Sequence, residues 1–90
     1  NGIVCAFSYF QEVDTPANKA FLERFRARFG ARTPYLGGEL AMRTYTGFQL
    51  WAEGVRRAKA TDRMKVIEAL ESGVSHDGPA GRTVLDPKTH

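Results

Sequence analysis

The side chains able to act as nucleophiles or as acid–base catalysts are few and far apart in this sequence. It has one cysteine, Cys5, and its two histidines are His76 and His90. A catalytic thiol needs a cationic neighbour that lowers its pKa. Cys5 lies instead in the apolar run of residues 2–7, where a small buried thiol is the ordinary interpretation. A single cysteine excludes an internal disulfide, and we expect no catalytic cysteine.

Motifs that hold metals or phosphates, or that form a serine triad, are missing from the sequence as well. The His-Glu-x-x-His and Cys-x-x-Cys spacings of metal sites do not occur. The pair Gly37-Gly38 is too short to cradle a phosphate and no Lys-Ser or Lys-Thr follows it. Ser8 and Ser75 show no pairing with a histidine and a carboxylate. We therefore expect no enzyme, no metal and no cofactor.

The basic residues do not predict a nucleic-acid surface. The net charge is +3, from 13 basic and 10 acidic residues. The positive excess is modest and scattered, with three basic residues at 24–28 in one helical pattern and three at 56–59 in another. Nucleic-acid-binding proteins concentrate such charge with aromatic side chains on one exposed face, whereas the aromatic residues here have core spacing. We expect no nucleic acid as a partner, and a small helical module that binds nucleic acid or protein is the weaker alternative.

A strand and a capped helix open the chain. Residues 2–7 are a short continuous apolar run, which predicts a strand covered on both faces. Asp14 and Thr15 can cap a helix, and Pro16 suits its first turn, so we predict a helix over residues 14–29. Its apolar stripe consists of Ala17, Ala20, Phe21, Phe25 and Phe29.

Two more helices follow a predicted loop over residues 31–37, which contains Pro34 and Gly37. The strongest apolar period in the chain predicts a helix over residues 39–59 that packs into the core. Its stripe consists of Ala41, Thr44, Tyr45, Phe48, Trp51, Ala52 and Val55. A shorter helix is predicted over residues 62–72, capped by Thr61 or Asp62.

The last part of the chain predicts a turn and a strand. Residues 76–81 are dense in turn formers, and residues 82–85 have the pattern of a short strand. Residues 86–90 then predict a second turn, and a strand followed by a turn usually leads to a partner strand. We therefore expect the partner strand to lie beyond residue 90, and the chain to be part of a larger protein.

Three stretches, residues 8–30, 39–62 and 77–90, give the chain a resemblance to a known family. Taken in order, they resemble the type I periplasmic solute-binding proteins of the branched-chain amino acid, amide and urea group. The resemblance implies an α/β fold, with residues 1–90 as a partial C-terminal lobe of a two-lobed protein and no internal domain boundary. Its elements would be helices over 14–29, 39–59 and 62–72, with short strands over 2–7 and 82–85.

In this family a small polar solute binds between the two lobes, which close around it. The resemblance implies a periplasmic component that delivers its solute to the membrane permease of an ABC-type uptake system, with a signal peptide outside this sequence. The chain is also similar to cytoplasmic amide-sensing regulators of the same fold, and a signal peptide upstream would distinguish transport from sensing. A lobe lacking its neighbours would expose apolar surface, so we expect self-association of this chain.

Three residues are candidates for contact with the solute. Tyr9 follows the predicted strand 2–7 at its carboxyl end, where open α/β sheets bind ligands. The resemblance places a cleft-facing position near Leu40, where the family often has an aromatic residue. Tyr45 lies near the start of the long helix and has a hydroxyl to offer. Packing into the core is the alternative role for each tyrosine.

Overall fold

The computed structural model describes residues 2–33, residue 35 and residues 38–90 as three helices and one hairpin. The elements are α1 (Pro16–Phe29), a 3₁₀ turn (Gly30–Arg32), α2 (Glu39–Ala58), α3 (Arg63–Glu71), β1 (Ser75–Gly78) and β2 (Gly81–Val84). The predicted helices are confirmed, each with bounds shifted inward by at most two residues at an end. Pro34 and Gly37 of the predicted loop lie outside the described residues.

The helices begin where side-chain caps satisfy their first amides. The hydroxyl of Thr15 accepts a hydrogen bond from the Asn18 backbone N–H at 3.2 Å, at the start of α1. The carboxylate of Asp62 accepts one from the Lys65 backbone N–H at 3.1 Å, at the start of α3. Such bonds pair amides that the helix itself leaves free. Gly30 ends α1 with a φ of +62°, a conformation that glycine adopts without strain.

One core cluster joins the N-terminal segment to α1 and α2. Its buried members are Tyr9, Phe21, Leu22 and Met42, with Phe25 and Tyr45 packed against them. The rings of Phe21 and Tyr45 have centroids 4.8 Å apart. Of the predicted stripes, Phe21, Phe25 and Tyr45 lie in this cluster, at the end where α2 begins. Leu22 and Met42 belong to neither stripe and are buried here.

A close approach of α2 and α3 forms the second packed region. Gly54 is buried, and a Cβ atom at this position would lie 2.8 Å from Cδ2 of Leu70 and 3.6 Å from Cγ1 of Val66. Since carbon atoms pack at about 3.5–4.0 Å, a side chain at residue 54 would have to displace Leu70. Glycine thus allows the two helices to approach this closely.

The hairpin corrects one prediction. β1 and β2 are antiparallel, with Ser75 opposite Val84 and Gly78 opposite Gly81. The strand predicted at 82–85 is confirmed one residue earlier, and Ser75–Gly78 pairs with it, where the turn formers of residues 76–81 predict only a turn. The ladder hydrogen bonds of an antiparallel pair override the weak local strand propensity of these residues. A partner strand beyond residue 90 stays a prediction.

The predicted strand over residues 2–7 is also corrected. These residues form no strand in the described part of the chain, because no other described segment supplies ladder partners to them. Ile3 and Val4 are 87% and 92% exposed, and Cys5 is exposed where we expected it buried. An apolar run of this kind forms a strand only when neighbours satisfy its backbone groups.

Part of the predicted core face of α2 is likewise exposed. Phe48 and Trp51 are 67% and 50% exposed, and Phe29 at the end of α1 is 54% exposed. The helix packs α3 and β1 on its other side, so nothing described covers these rings. Among the described residues, no helix combines the length and the apolarity that a membrane crossing requires.

Candidate ligand-binding site

The segment around Tyr9 is fixed in place by a buried asparagine. The Tyr9 hydroxyl donates to Oδ1 of Asn18 at 2.7 Å, and Nδ2 of Asn18 donates to the carbonyl oxygens of Gln11 and Val13, each at 2.9 Å. Asn18 is 0% exposed and Tyr9 is 4% exposed. The asparagine therefore uses both its amide hydrogens and its oxygen to hold the chain after the apolar run against α1.

Burial governs the acidity of Tyr9. Desolvation raises the pKa of its phenol, the negative charge of Glu12 raises it further, and the hydrogen bond to Asn18 acts in the opposite direction. The phenol therefore stays neutral and acts as a hydrogen-bond donor and an apolar ring. This state suits packing and ligand contact, and it does not suit a base.

A polar cluster holds the same segment to the first turn of α2. The backbone N–H and the hydroxyl of Ser8 both donate to Oε1 of Glu39, at 3.2 and 2.5 Å. The Arg43 guanidinium donates to the same carboxylate oxygen at 2.5 Å, and its Nε donates to the Ser8 hydroxyl at 3.3 Å. The hydroxyl and N–H of Ser8, followed by Arg43, hold the pKa of Glu39 below its ordinary value. A carboxylate in the first turn is also favoured by the helix dipole.

Two cavities flank the segment that these contacts fix. One, of about 400 Å³, lies between Tyr9, Phe10, Tyr35 and the start of α2 at Glu39. The other, of about 450 Å³, lies between Phe7 and Phe10 on one side and the hairpin connection on the other. The rings of Phe7 and Phe10 meet edge to face, with centroids 5.9 Å apart. Phe7, Tyr9 and Phe10 line both cavities, and Tyr9 is the one of the three with a polar group on its ring.

The structure does not bring the three predicted contact residues together. Tyr9 lies between the two cavities, with its hydroxyl bound to Asn18. Leu40 is 79% exposed and lines neither of them. Tyr45 is half-buried against Phe21 and lines a separate hollow on α1. Of the three, only Tyr9 borders these two cavities, where it could contact a solute as well as pack in the core.

Sequence reasoning missed three residues of this site: Asn18, Glu39 and Arg43. Asn18 shares its helix face with Phe21, Leu22 and Phe25, and a lone polar residue at an apolar helical position is a usable signal of a buried hydrogen-bonding role. Glu39 and Arg43 have the spacing of an ordinary surface pair at i and i+4, so nothing local predicts their contact with Ser8. No group of three or more His, Cys, Asp or Glu side chains that could hold a metal ion occurs among the described residues.

The chain is similar to one protein family over its whole length and to one curated protein over most of it. A family model described as periplasmic binding protein matches residues 1–90. Among curated proteins, limonene hydroxylase of Geobacillus stearothermophilus is 29% identical over 83 residues, which are 92% of this chain and 15% of that protein. The chain thus spans about 15% of the length of this relative.

Proposed function

Since this chain belongs to the periplasmic binding protein family, whose model matches residues 1–90, we propose that it forms part of the C-terminal lobe of a two-lobed solute-binding protein. The family match over the whole chain is the observation that carries the proposal. A solute-binding role follows from membership in this family. The exposed apolar run 2–7 supports the partial-lobe reading, because such a run suits a strand in a larger sheet.

The parent protein, in this proposal, captures an amino acid, a short amide or urea in the periplasm and delivers it to the membrane permease of an ABC-type uptake system. Capture works by lobe closure, and no bond of the solute is broken. Because the solute makes more contacts with the closed state than with the open state, its binding shifts the population of protein molecules toward the closed state. The protein is then a carrier and not an enzyme.

Tyr9 is the residue of this chain most suited to face the solute. It is fixed by Asn18 and borders both cavities at the end of the apolar run. A ring held in one conformation loses little entropy on binding, which favours a contact role. Leu40 and Tyr45 remain proposed contacts with the solute, and both would require the other lobe of the parent protein to complete the cleft around them.

Calorimetric titration of the longer protein that we propose contains this chain tests the function. Leucine, acetamide and urea are the ligands, and at least one should bind saturably. Replacing Tyr9 with Ala should weaken that binding by about tenfold or more, since a buried aromatic contact and its packing are lost. Replacing Phe48 with Ala is the comparison, because this ring is 67% exposed and lines neither cavity. An equal loss in both variants would contradict a special role of Tyr9.

Cytoplasmic amide sensing by the same fold is the alternative function. The sequence upstream of this chain in the longer protein distinguishes sensing from transport, because a signal peptide there supports transport and its absence supports sensing. The name of the Geobacillus relative raises hydroxylation as a third activity. Hydroxylated limonene formed by the longer protein, with O₂ and a nicotinamide reductant supplied, would contradict the carrier proposal.

A further inference from the structure

A third cavity lies on the far side of Ser8, between α2 and β2. It has a volume of about 440 Å³ and is rich in positive charge and hydroxyl groups. Its polar lining residues are Ser8, Arg43, Thr46, Arg82 and Thr83. This cavity is thus chemically unlike the two aromatic ones beside Tyr9.

The guanidinium of Arg82 is the uncompensated charge in this cavity. It forms no hydrogen bond or ion pair with any described residue. Asp77 stands opposite Arg82 in the hairpin register, yet no ion pair joins the two side chains. Arg43, by contrast, is bound to Glu39, so their charges offset each other. The five N–H donors of Arg82 therefore remain available to an anion.

The charged cavity adjoins the aromatic one. Ser8 and Ala80 line both, so the two hollows meet where the N-terminal segment passes the hairpin connection. One end offers the rings of Phe7 and Phe10, and the other offers Arg82 with hydroxyl groups around it. A molecule with an apolar body and one anionic group would match both ends.

We propose that these adjoining cavities form a binding groove for small apolar carboxylates, called here the Arg82 groove and bounded by Phe7, Phe10, Ser8, Arg43 and Arg82. The carboxylate accepts charge-assisted hydrogen bonds from Arg82, and the apolar body lies on the phenylalanine rings. Guanidinium–carboxylate bonds are stronger than neutral ones. The groove lies within this chain, so this inference does not depend on lobe closure or on the proposed function.

An NMR titration of the chain with phenylacetate tests the groove. Amide shifts of Ser8, Ala80 and Thr83 should change and saturate, with a Kd on the order of 10 mM, as expected for a small ligand in an open site. Phenylacetamide, which has the same shape without the charge, and inorganic phosphate, which has charge without the apolar body, should each bind at least about tenfold more weakly.

Variants separate the groove from general charge effects. Arg82→Gln should weaken phenylacetate binding by about tenfold or more, whereas Arg63→Gln, which removes the same charge from the exposed start of α3, should leave it unchanged. Equal binding of phenylacetamide, or equal losses in both variants, would overturn the anion site. Equal binding of phosphate would overturn the role of the rings. None of these results bears on solute capture by the longer protein.

Discussion

Asn18 is the side chain on which the position of Tyr9 depends. It pairs the Tyr9 hydroxyl and two backbone carbonyl oxygens in a site with no exposure. Replacing it with Leu leaves these partners buried without hydrogen bonds, and each such loss costs about 1–3 kcal/mol. We expect the free energy of unfolding to fall by about 3 kcal/mol in Asn18→Leu, as measured by urea denaturation followed by circular dichroism.

Lys19→Ala is the matched control for that change. Lys19 follows Asn18, and its side chain forms an exposed ion pair with Asp14 at 2.6 Å, with the two side chains 67% and 81% exposed. Such pairs contribute about 0–1 kcal/mol. If Asn18→Leu costs no more than Lys19→Ala, the buried network does not fix the segment.

Ser8 sets the acidity of Glu39. Its hydroxyl and N–H are the largest causes that lower the pKa of this carboxyl, ahead of Arg43. A lowered folded pKa means that the contact is present at pH values above the ordinary Glu pKa and is lost as pH falls through the folded pKa. Carbon-13 NMR titration should therefore give Glu39 a pKa below the ordinary value, and Ser8→Ala should raise it.

Arg56→Gln is the control for the Glu39 titration, and it should leave the pKa of Glu39 unchanged. Arg56 pairs with Glu53 on the same helix, and it lowers the pKa of Glu53 and not that of Glu39. A Glu39 pKa that is unchanged in Ser8→Ala would show that Ser8 does not hold the segment to α2 in solution.

At the scale of elements, the approach of α2 to α3 depends on Gly54. An added Cβ atom would lie 2.8 Å from Leu70 Cδ2, whereas at Gly47 of the same helix nothing lies within 4 Å. Gly→Ala in an open helical position stabilises by about 0.5–1 kcal/mol. Overpacking costs about 1–3 kcal/mol. Thermal denaturation should therefore show Gly47→Ala more stable than the parent and Gly54→Ala less stable than Gly47→Ala by about 1 kcal/mol or more.

A double variant checks the cause of that difference. Truncating Leu70 to Ala removes the atoms that a residue-54 Cβ would meet. The cost of Gly54→Ala should therefore be smaller in the Leu70→Ala background than in the parent. Equal costs in both backgrounds would mean that the clash with Leu70 does not limit the packing.

The sequence predicts the three helices and strand β2 correctly, but it misses β1 and predicts a strand at residues 2–7 that the structure does not form. Helices α1, α2 and α3 follow from caps and from the 3.6-residue period, which need only neighbouring residues. The pairing of Ser75–Gly78 with β2 depends on ladder hydrogen bonds that composition does not encode. Residues 2–7 have a strand pattern, but a strand needs partners that no described residue provides. The same limit applies to the site, since the contact of Ser8 with Glu39 joins residues 31 positions apart.

At the scale of the whole molecule, exposed apolar side chains predict association. Ile3, Val4, Phe48 and Trp51 are between 50% and 92% exposed, and unpaired strand-forming segments and apolar patches favour contact between copies. Size-exclusion chromatography with light scattering should show a dimer or larger species for this chain. Replacing both Ile3 and Val4 with Asp should shift the population toward monomer.

A matched double variant shows whether that effect belongs to the apolar run. Replacing Lys65 and Glu68, exposed residues of α3, with Asp makes the net charge more negative by the same amount as the Ile3 and Val4 changes. It does so without altering residues 2–7. This variant should retain the association of the parent chain. A parent chain that stays monomeric at every concentration would contradict the reading of residues 2–7 as a strand without its neighbours.

We propose that this chain supplies one side of a solute cleft and that the longer protein supplies both. Calorimetric titration of the 90-residue chain with leucine, acetamide and urea, beside the longer protein, is the decisive measurement. The chain alone should show no saturable binding with a Kd of about 1 mM or tighter, and the longer protein should bind at least one of the solutes saturably. Tight, saturable binding of any of the three to the chain alone would contradict it.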